Sequence, residues 1–271
     1  MKPKRGLADR CFLTESEDRH LEFYSLASGS SGNSYVVRHG DTVLLVDCGI
    51  SGKKIFAGLK DHGMELTEVT GVLITHEHVD HTKSIKIVLK KTQALAYMNI
   101  GTWQCLSDKV LEENQILIGS REEFQIGAIT VRPFVVSHDA TEPLGYSFVA
   151  DGRQLSILID TGIVTESIEK AVKDADLLVL EANHDSNVLQ MSSYPYSLKR
   201  QILGNKGHLS NEAAADCIMK VHQKNSKPRQ ILLAHLSHQN NTPEMAKITV
   251  CNMLEEAGIL PGGNIEVDVV T

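Results

Sequence analysis

Long apolar segments are missing from this sequence of 271 residues. No stretch approaches the roughly 20 consecutive apolar residues that a membrane-spanning helix requires, so we expect no membrane contact. The first ten residues, MKPKRGLADR, are followed by polar residues rather than an apolar segment, so we also expect no leader peptide. The sequence therefore predicts a globular protein, and 42% hydrophobic residues are enough to build its core.

Paired cysteines are missing as well. The chain has five cysteines, an odd number, and they are widely spaced without a Cys-x-x-Cys motif: Cys11, Cys48, Cys105, Cys217 and Cys251. This pattern is typical of free thiols in a reducing compartment. We therefore expect a cytoplasmic protein.

An excess of basic residues is also missing, since the formal net charge is -7. A negative overall charge argues against nonspecific adhesion to nucleic acid through the whole surface. Basic residues nevertheless concentrate in residues 82–91 and 186–230, and a few of them beside a site would suffice to follow a phosphate backbone. Aromatic residues are scarce, and Tyr194 and Tyr196 are candidates either for base stacking or for core packing.

Short apolar runs that end in a polar or ionisable residue recur along the chain. They end at Asp47, His76, His138, Asp160, Glu181 and His235. Runs this short and apolar are typical of strands buried on both faces. Helical spacing of apolar residues appears between several of them, at 51–63, 82–91, 165–175, 210–223 and 242–258. We expect an α/β fold in which helices cover two sheets, formed by one domain over residues 21–271 after a loose N-terminal extension, residues 1–20.

The segment THEHVDH concentrates metal-binding side chains directly after an apolar run. It contains His76, His78, Asp80 and His81. Imidazole and carboxylate suit Zn²⁺ and related divalent ions. One ion cannot easily take all four ligands from so short a segment, whereas two neighbouring ions can. The remaining ligands are expected from the other strand ends, at His138, Asp160 and His235, and a carboxylate such as Asp160 can bridge two ions.

This segment resembles the His-x-His-x-Asp-His signature of metallo-β-lactamase-fold hydrolases, and the other strand ends follow in that family's order. The resemblance implies a four-layer αββα sandwich with two metal ions at one edge. It assigns one ion to His76, His78 and His138. It assigns the other ion to Asp80, His81 and His235, with Asp160 as the bridge. Asp47 would orient a ligand or the loop through hydrogen bonds.

Three further stretches resemble the YycJ/WalJ-like members of that family, cytoplasmic bacterial proteins associated with 5′-to-3′ exonuclease activity on DNA. They are LASGSSGNSYVV (26–37), EANHD (181–185) with GNKGHLSNEAAA (204–215), and LLAHLSHQNNTPE (232–244). The resemblance implies a DNA substrate, with no protein partner deducible. Asp80 would orient the nucleophile, and either His208 or His235 would assist the leaving group. Zn²⁺ is the default metal and Mn²⁺ the alternative.

Two loops are predicted to bind phosphate. The glycine-serine loop offers flexible backbone, amides and hydroxyls at Ser30, Ser31, Gly32 and Asn33, although a tight polar turn has the same composition. The start of a helix at Ser210 is flanked by His208 and, by resemblance, His184, and helix N-termini attract phosphate. Ser210 is equally a good helix cap.

Two other functions remain open at this stage. One is a hydrolase of small or RNA phosphodiesters, which share the same core motifs. The other is a non-hydrolytic protein, either a di-iron redox module or a metal-stabilised binding protein. His78 disfavours the di-iron form, since related redox proteins usually have a carboxylate at that position.

Overall fold

The computed structural model describes residues 21–270, so the predicted extension at residues 1–20 lies outside the described part. Thirteen strands lie within these residues. They are β1 (Glu22–Ala27), β2 (Ser34–His39), β3 (Thr42–Val46), β4 (Val69–Leu73), β5 (Leu95–Met98), β6 (Gln115–Leu117), β7 (Phe124–Ile126), β8 (Ile129–Val135), β9 (Leu144–Ala150), β10 (Arg153–Leu158), β11 (Leu177–Glu181), β12 (Arg229–Ala234) and β13 (Ile265–Val269).

Nine α-helices alternate with these strands across the same part of the chain. They are α1 (Gly52–Asp61), α2 (Val79–Thr82), α3 (Ile85–Thr92), α4 (Ile100–Leu106), α5 (Glu166–Val172), α6 (Ser186–Met191), α7 (Tyr196–Ile202), α8 (Asn211–Lys224) and α9 (Pro243–Glu256). Within residues 21–270, no helix combines the length and the apolar character needed to cross a membrane.

The strands form two mixed sheets. The first has the order β1-β2-β3-β4-β5-β6, and the second has the order β13-β12-β11-β10-β9-β8-β7. In the first sheet, β3 to β6 run parallel. In the second, β10 to β13 run parallel, and β8 points the same way because β9 is antiparallel to both of its neighbours. Within each sheet, the strands that precede the predicted site residues therefore end at the same edge.

Three apolar clusters separate four layers. The cluster between the sheets contains Leu44 and Tyr146, both fully buried. The cluster under the outer helices of the first sheet contains Ile55 of α1, and that of the second contains Ala215 of α8 and Val250 of α9. Burying a valine, leucine, isoleucine or phenylalanine side chain contributes about 1.5–3 kcal/mol, which stabilises the packing of both sheets. The predicted four-layer αββα sandwich is confirmed.

Local sequence signals account for most of the predicted helices. Ser210 caps α8 by accepting a hydrogen bond from the Ala213 amide at 3.2 Å, and Thr242 caps α9 with Pro243 in its first turn. The sequence Asp151-Gly152 is a typical hairpin turn, and the hairpin between β9 and β10 turns at these two residues, which both have positive φ.

The predicted helix at 82–91 is interrupted in the structure. Helix α2 ends at Thr82, whose hydroxyl donates to the carbonyls of Glu77 and His78. The Ser84 amide donates to the carbonyl of Cys48 instead of continuing the helix. The break anchors the THEHVDH segment to the loop after β3. Helices α6 and α7 were not predicted, because the Ser-Ser-x-Pro sequence between them is typical of a loop.

Candidate metal centre

Three of the predicted site residues have an unusual backbone conformation. Asp47, Asp160 and His235 have φ of 62°, 53° and 55°, in the left-handed region that non-glycine residues avoid. Each follows a strand by one or two residues. Such backbone costs on the order of 1–3 kcal/mol and persists only where the surrounding structure imposes it. All three side chains lie in or next to groups of metal-ligating side chains.

One group of three imidazoles lies at this edge. His76, His78 and His138 each offer a ring nitrogen, and these nitrogens lie within 4.8 Å of one another. The Nδ1 atom of His76 lies 3.0 Å from the Thr75 hydroxyl, and that of His138 lies 3.3 Å from the Gly207 carbonyl. These contacts leave Nε2 for a ligand. Burial and then the neighbouring imidazoles lower the pKa of His76, which favours the neutral form that binds metals.

A second group lies beside the first. Asp80, His81 and His235 also offer ligand atoms within 4.8 Å of one another. The Nδ1 atom of His81 lies 2.8 Å from Asp47 Oδ2, and that of His235 lies 3.0 Å from Glu181 Oε1. As in the first group, outer partners hold Nδ1 and fix the ring so that Nε2 points inward.

Asp160 lies between the two groups. Its carboxylate falls within 4.8 Å of the ligand atoms of His76 and His81, and it also belongs to a set with His235. Asp160 Oδ2 lies 3.0 Å from His81 Nε2 but makes no well-aligned hydrogen bond, and the Nε2 atoms of His76 and His235 have no hydrogen-bond partner within residues 21–270. Leaving a buried polar atom without a partner costs about 1–3 kcal/mol. This donor set suits divalent cations, which would satisfy all three atoms at once.

Asp47, which was predicted to orient a ligand or the loop, lies beside His81. It is fully buried, and its two oxygens accept hydrogen bonds from the Thr75 amide at 2.9 Å and the Thr75 hydroxyl at 2.8 Å. One carboxylate thus holds His81 and the backbone that leads into the THEHVDH segment. The role of Thr75 was not foreseen, because a threonine at a strand end has no distinctive sequence signal.

Glu181 was not among the predicted site residues. It is fully buried at the end of β11, and its Oε1 lies 2.7 Å from His208 Nδ1 as well as near His235. Its Oε2 accepts hydrogen bonds from the amides of Thr161 and Leu209.

Burial raises the pKa of Glu181, but His208 and His235 outweigh this effect and lower it to about 2. The two effects have the opposite signs at His208. Burial lowers its pKa, but the Glu181 and Asp160 carboxylates raise it to about 9. The sequence contained a signal for Glu181 as a site residue, since Glu181 ends one of the recurring apolar runs.

The glycine-serine loop is divided into an exposed part and a buried part. Ser30 is exposed and lines the cavity above the ligand groups. The hydroxyl of Ser31, also exposed, lies 3.3 Å from His238 Nε2. Gly32 and Asn33 are buried, and the Gly32 amide donates to the carbonyl of Gly29. Only the serines are therefore accessible to a ligand.

The buried part of this loop supports the metal-binding segment. The Asn33 amide donates to the Asp80 carbonyl at 2.8 Å, and its side chain lies 3.1 Å from His81 Nε2. Gly49 lies against the same place, and a Cβ atom there would stand 1.6 Å from the Asp80 carbonyl oxygen. The loop after β3, the glycine-serine loop and the THEHVDH segment meet here, so this position requires a residue without a side chain.

The second predicted phosphate loop also separates into parts. His208 is partly exposed and lines the cavity, whereas the Ser210 hydroxyl is occupied as the cap of α8. His184 is 1% exposed and does not line the cavity, and neither of its ring nitrogens has a hydrogen-bond partner among the described residues. Among these three residues, His208 alone faces the cavity.

A cavity of about 270 Å³ opens over the ligand groups. One side is formed by the strand ends and the other by α7 and the residues before it. The lining residues are Ser30, His78, Asp80, His138, Asp139, Asp160, Asn183, Tyr194, Leu198, Gln201, Ile202, His208, His235 and Ser237. Asp139 was not predicted; its carboxylate lies 3.3 Å from His138 Nε2 and accepts a hydrogen bond from Gln201.

This arrangement of strand ends agrees with comparisons to known proteins. The model of the beta-lactamase superfamily domain matches residues 42–236. The chain belongs to this superfamily. It is 38% identical over 250 residues to the exodeoxyribonuclease YycJ of Bacillus anthracis, a match that covers 91% of this chain and 94% of that protein. It is 36% identical over 252 residues to the exodeoxyribonuclease WalJ of Streptococcus pneumoniae strain D39, covering 91% and 93%.

Solved structures show the same fold. The metallo-β-lactamase fold protein YhfI of Bacillus subtilis superimposes with a TM-score of 0.69 at 15% identity, covering 92% of this chain and 96% of that one. The predictions of a metallo-β-lactamase-fold hydrolase and of YycJ/WalJ-like relatives are thereby confirmed.

Proposed function

We propose that this chain is a metal-dependent exodeoxyribonuclease that degrades DNA from the 5′ end with two divalent cations. The observation that carries the proposal is that two ligand groups meet at Asp160 beneath a cavity that His208 also lines. The similarity to relatives named exodeoxyribonucleases supports DNA as the substrate. Residues 21–271 would act as one domain, in the reducing cytoplasm that the free cysteines favour.

The ligand set supports two cations per chain. His76, His78 and His138 would hold one cation. Asp80, His81 and His235 would hold the other, and Asp160 would contact both. Bound divalent cations polarise phosphoryl oxygens and lower the pKa of bound water. Imidazole and carboxylate ligands suit Zn²⁺, and Mn²⁺ is the alternative because the order of affinities does not fix the working metal.

The surrounding side chains have separable roles in this proposal. Asp80 is partly exposed at the cavity floor, where its carboxylate orients the nucleophile. Because Glu181 holds His208 at Nδ1, the other ring nitrogen of His208 is left to donate a proton to the leaving oxygen. His235 suits this role less well, because its Nε2 points toward Asp160 and would be taken up as a cation ligand.

The 5′-terminal phosphate would be held by Ser30, with Ser31 beside it. The positive charge of His208, which lines the same cavity, would attract this phosphate while its Nε2 serves the leaving oxygen. Gly32, Asn33 and Ser210 would shape the two loops from within. A charge-assisted hydrogen bond is worth about 1.5–3 kcal/mol, so DNA with a 5′-phosphate should be degraded more than about tenfold faster than DNA with a 5′-hydroxyl. Degradation of matched oligonucleotides measures this ratio. Equal rates would reject the 5′-phosphate site, and a preference that persists in His208→Ala would assign it to the serines alone.

One assay tests the proposed function as a whole. Purified protein is incubated with end-labelled single- and double-stranded DNA and RNA, with Zn²⁺ or Mn²⁺ in turn. We expect products that shorten from the 5′ end of DNA. The Asp80→Asn variant, purified in parallel, controls for contaminating nucleases. Cleavage of RNA or of a small phosphodiester without cleavage of DNA would contradict the proposal and favour the alternative substrates.

A further inference from the structure

The cavity is too small to hold a polymeric substrate. Its volume of about 270 Å³ lies just below the range of about 300–1,000 Å³ that is usual for ligand sites. A DNA strand with its end over the ligand groups must therefore continue across the protein surface. The inference below rests on the proposed function and concerns the path of that strand.

One wall of the cavity continues onto the surface. This wall segment, residues 191–206, runs from the end of α6 through α7, and its Tyr194, Leu198 and Gln201 line the cavity. The Lys199 ammonium group donates to the carbonyls of Gln190 and Ser192 at 2.7 Å, which ties α7 to the end of α6. The segment therefore has a fixed shape beside the site.

The wall segment exposes large apolar side chains. Met191 is 82% exposed and Tyr196 is 77% exposed, while Tyr194 is half-buried at the cavity wall. Core packing, which the sequence left open for both tyrosines, is excluded for Tyr196 by this exposure. Exposed aromatic rings that lead away from a site provide stacking surfaces for unpaired bases.

Charge favours a polyanion at the same surface. No acidic residue lies between Asp185 and Glu212, whereas Lys199, Arg200 and Lys206 are basic. The Arg200 guanidinium lies 5.9 Å from the centre of the Tyr196 ring, so a cation and a stacking surface occur together.

The other basic residues of this region are occupied elsewhere. Lys220 and Lys224 pair with Glu169, and Lys227 pairs with Asp176. Within the described residues, neither Arg200 nor Lys206 forms a salt bridge. These two cations therefore remain for phosphates.

We propose that the wall segment binds single-stranded nucleic acid as it leaves the cavity. The base nearest the cavity stacks on Tyr194 and a following base stacks on Tyr196, while Arg200 and Lys206 contact the backbone phosphates. Stacking requires unpaired bases, so the strand is single-stranded at this point even when the substrate begins as a duplex.

The test measures binding and turnover separately. The dissociation constant of the metal-loaded protein for a fluorescent, cleavage-resistant phosphorothioate oligonucleotide is measured by anisotropy. Tyr196→Ala should weaken binding about fivefold or more, Tyr196→Phe should bind like wild type, and hydrolysis of bis(p-nitrophenyl) phosphate should remain unchanged in both. Ile248→Ala, a change at an exposed apolar residue of α9 that does not line the cavity, serves as the matched control.

The outcomes separate this inference from the proposed function. Unchanged binding by Tyr196→Ala, in a wild-type protein that degrades DNA, would overturn the inference alone. A wild-type protein that binds DNA through Tyr196 but does not degrade it would overturn the proposed function and leave the inference standing. A wild-type protein that neither binds nor degrades DNA would overturn both.

Discussion

Two aspartates at opposite ends of the second sheet show how a structural carboxylate differs from one that awaits a ligand. Asp176 precedes β11 and Asp160 follows β10. Asp176 accepts a hydrogen bond from the Gln154 amide at 2.8 Å and pairs with Arg153 at 2.9 Å and Lys227 at 3.1 Å. Both of its oxygens are satisfied within the chain.

Asp160 has no comparable set of partners. Imidazole nitrogens surround it, at 3.0 Å for His81 and 3.5 Å for His235, yet its Oδ2 makes no hydrogen bond to residues 21–270. The two residues are alike in type, burial and position beside a strand. They differ in whether neighbouring groups satisfy the carboxylate oxygens. The unsatisfied oxygen of Asp160 indicates where a cation is required.

The largest expected effect contrasts these two residues directly. Asp160→Asn should lower DNA cleavage by about three orders of magnitude, because it removes the charge shared by both ligand groups. Asp176→Asn should leave turnover near the wild-type value and lower the free energy of unfolding by about 1–3 kcal/mol. Cleavage rates and chemical denaturation of both variants measure these effects. Equal loss of activity in both variants would show that the comparison misidentifies the site.

A second, smaller effect is expected at the cavity floor. Asp80→Asn retains the size of the side chain and removes the charge that orients the nucleophile, so turnover should fall by at least about two orders of magnitude in a folded protein. Circular dichroism establishes folding, and the end-labelled DNA assay measures turnover. Near-normal turnover would mean that the nucleophile is oriented by another residue.

The smallest of these effects is expected at Glu181, which acts only through the two histidines it holds. Glu181→Gln keeps acceptors for the amides of Thr161 and Leu209 but weakens the contacts to both imidazoles, so activity should fall about 10–100-fold. Glu169→Gln, at a carboxylate on the outer face of the second sheet that pairs with two lysines, is the matched control. If both variants keep full activity, Glu181 does not position the site.

The sequence predicted much of this architecture because buried strands and ligand residues leave local signals. Apolar runs of five to seven residues correspond to β3, β4, β8 and β10 to β12, and ionisable residues follow them at the shared edge. The order of residues in THEHVDH was informative because four ligand-type side chains rarely follow a buried strand without a function.

Other features depend on distant parts of the chain and could not be predicted locally. The Asn33 amide donates to the carbonyl of Asp80, 47 residues later, and Gly49 makes this approach possible. This tertiary role occupies the Asn33 amide, and the Gly29 carbonyl occupies the Gly32 amide, so neither amide is left for phosphate. Helices α6 and α7 are short, and their helical turns depend on docking beside the cavity rather than on a periodic apolar stripe.

The central proposal is that the place where the two sheets meet at their edges holds two cations, at ligand groups that share Asp160. Elemental analysis of protein purified without chelator, under metal-replete conditions, tests it most directly. We predict a content that approaches two divalent cations per chain, that falls in His81→Ala, and whose removal by chelator abolishes DNA cleavage until Zn²⁺ or Mn²⁺ is restored. A content that stays at or below one cation per chain, or cleavage that persists in fully chelated protein, would contradict the account.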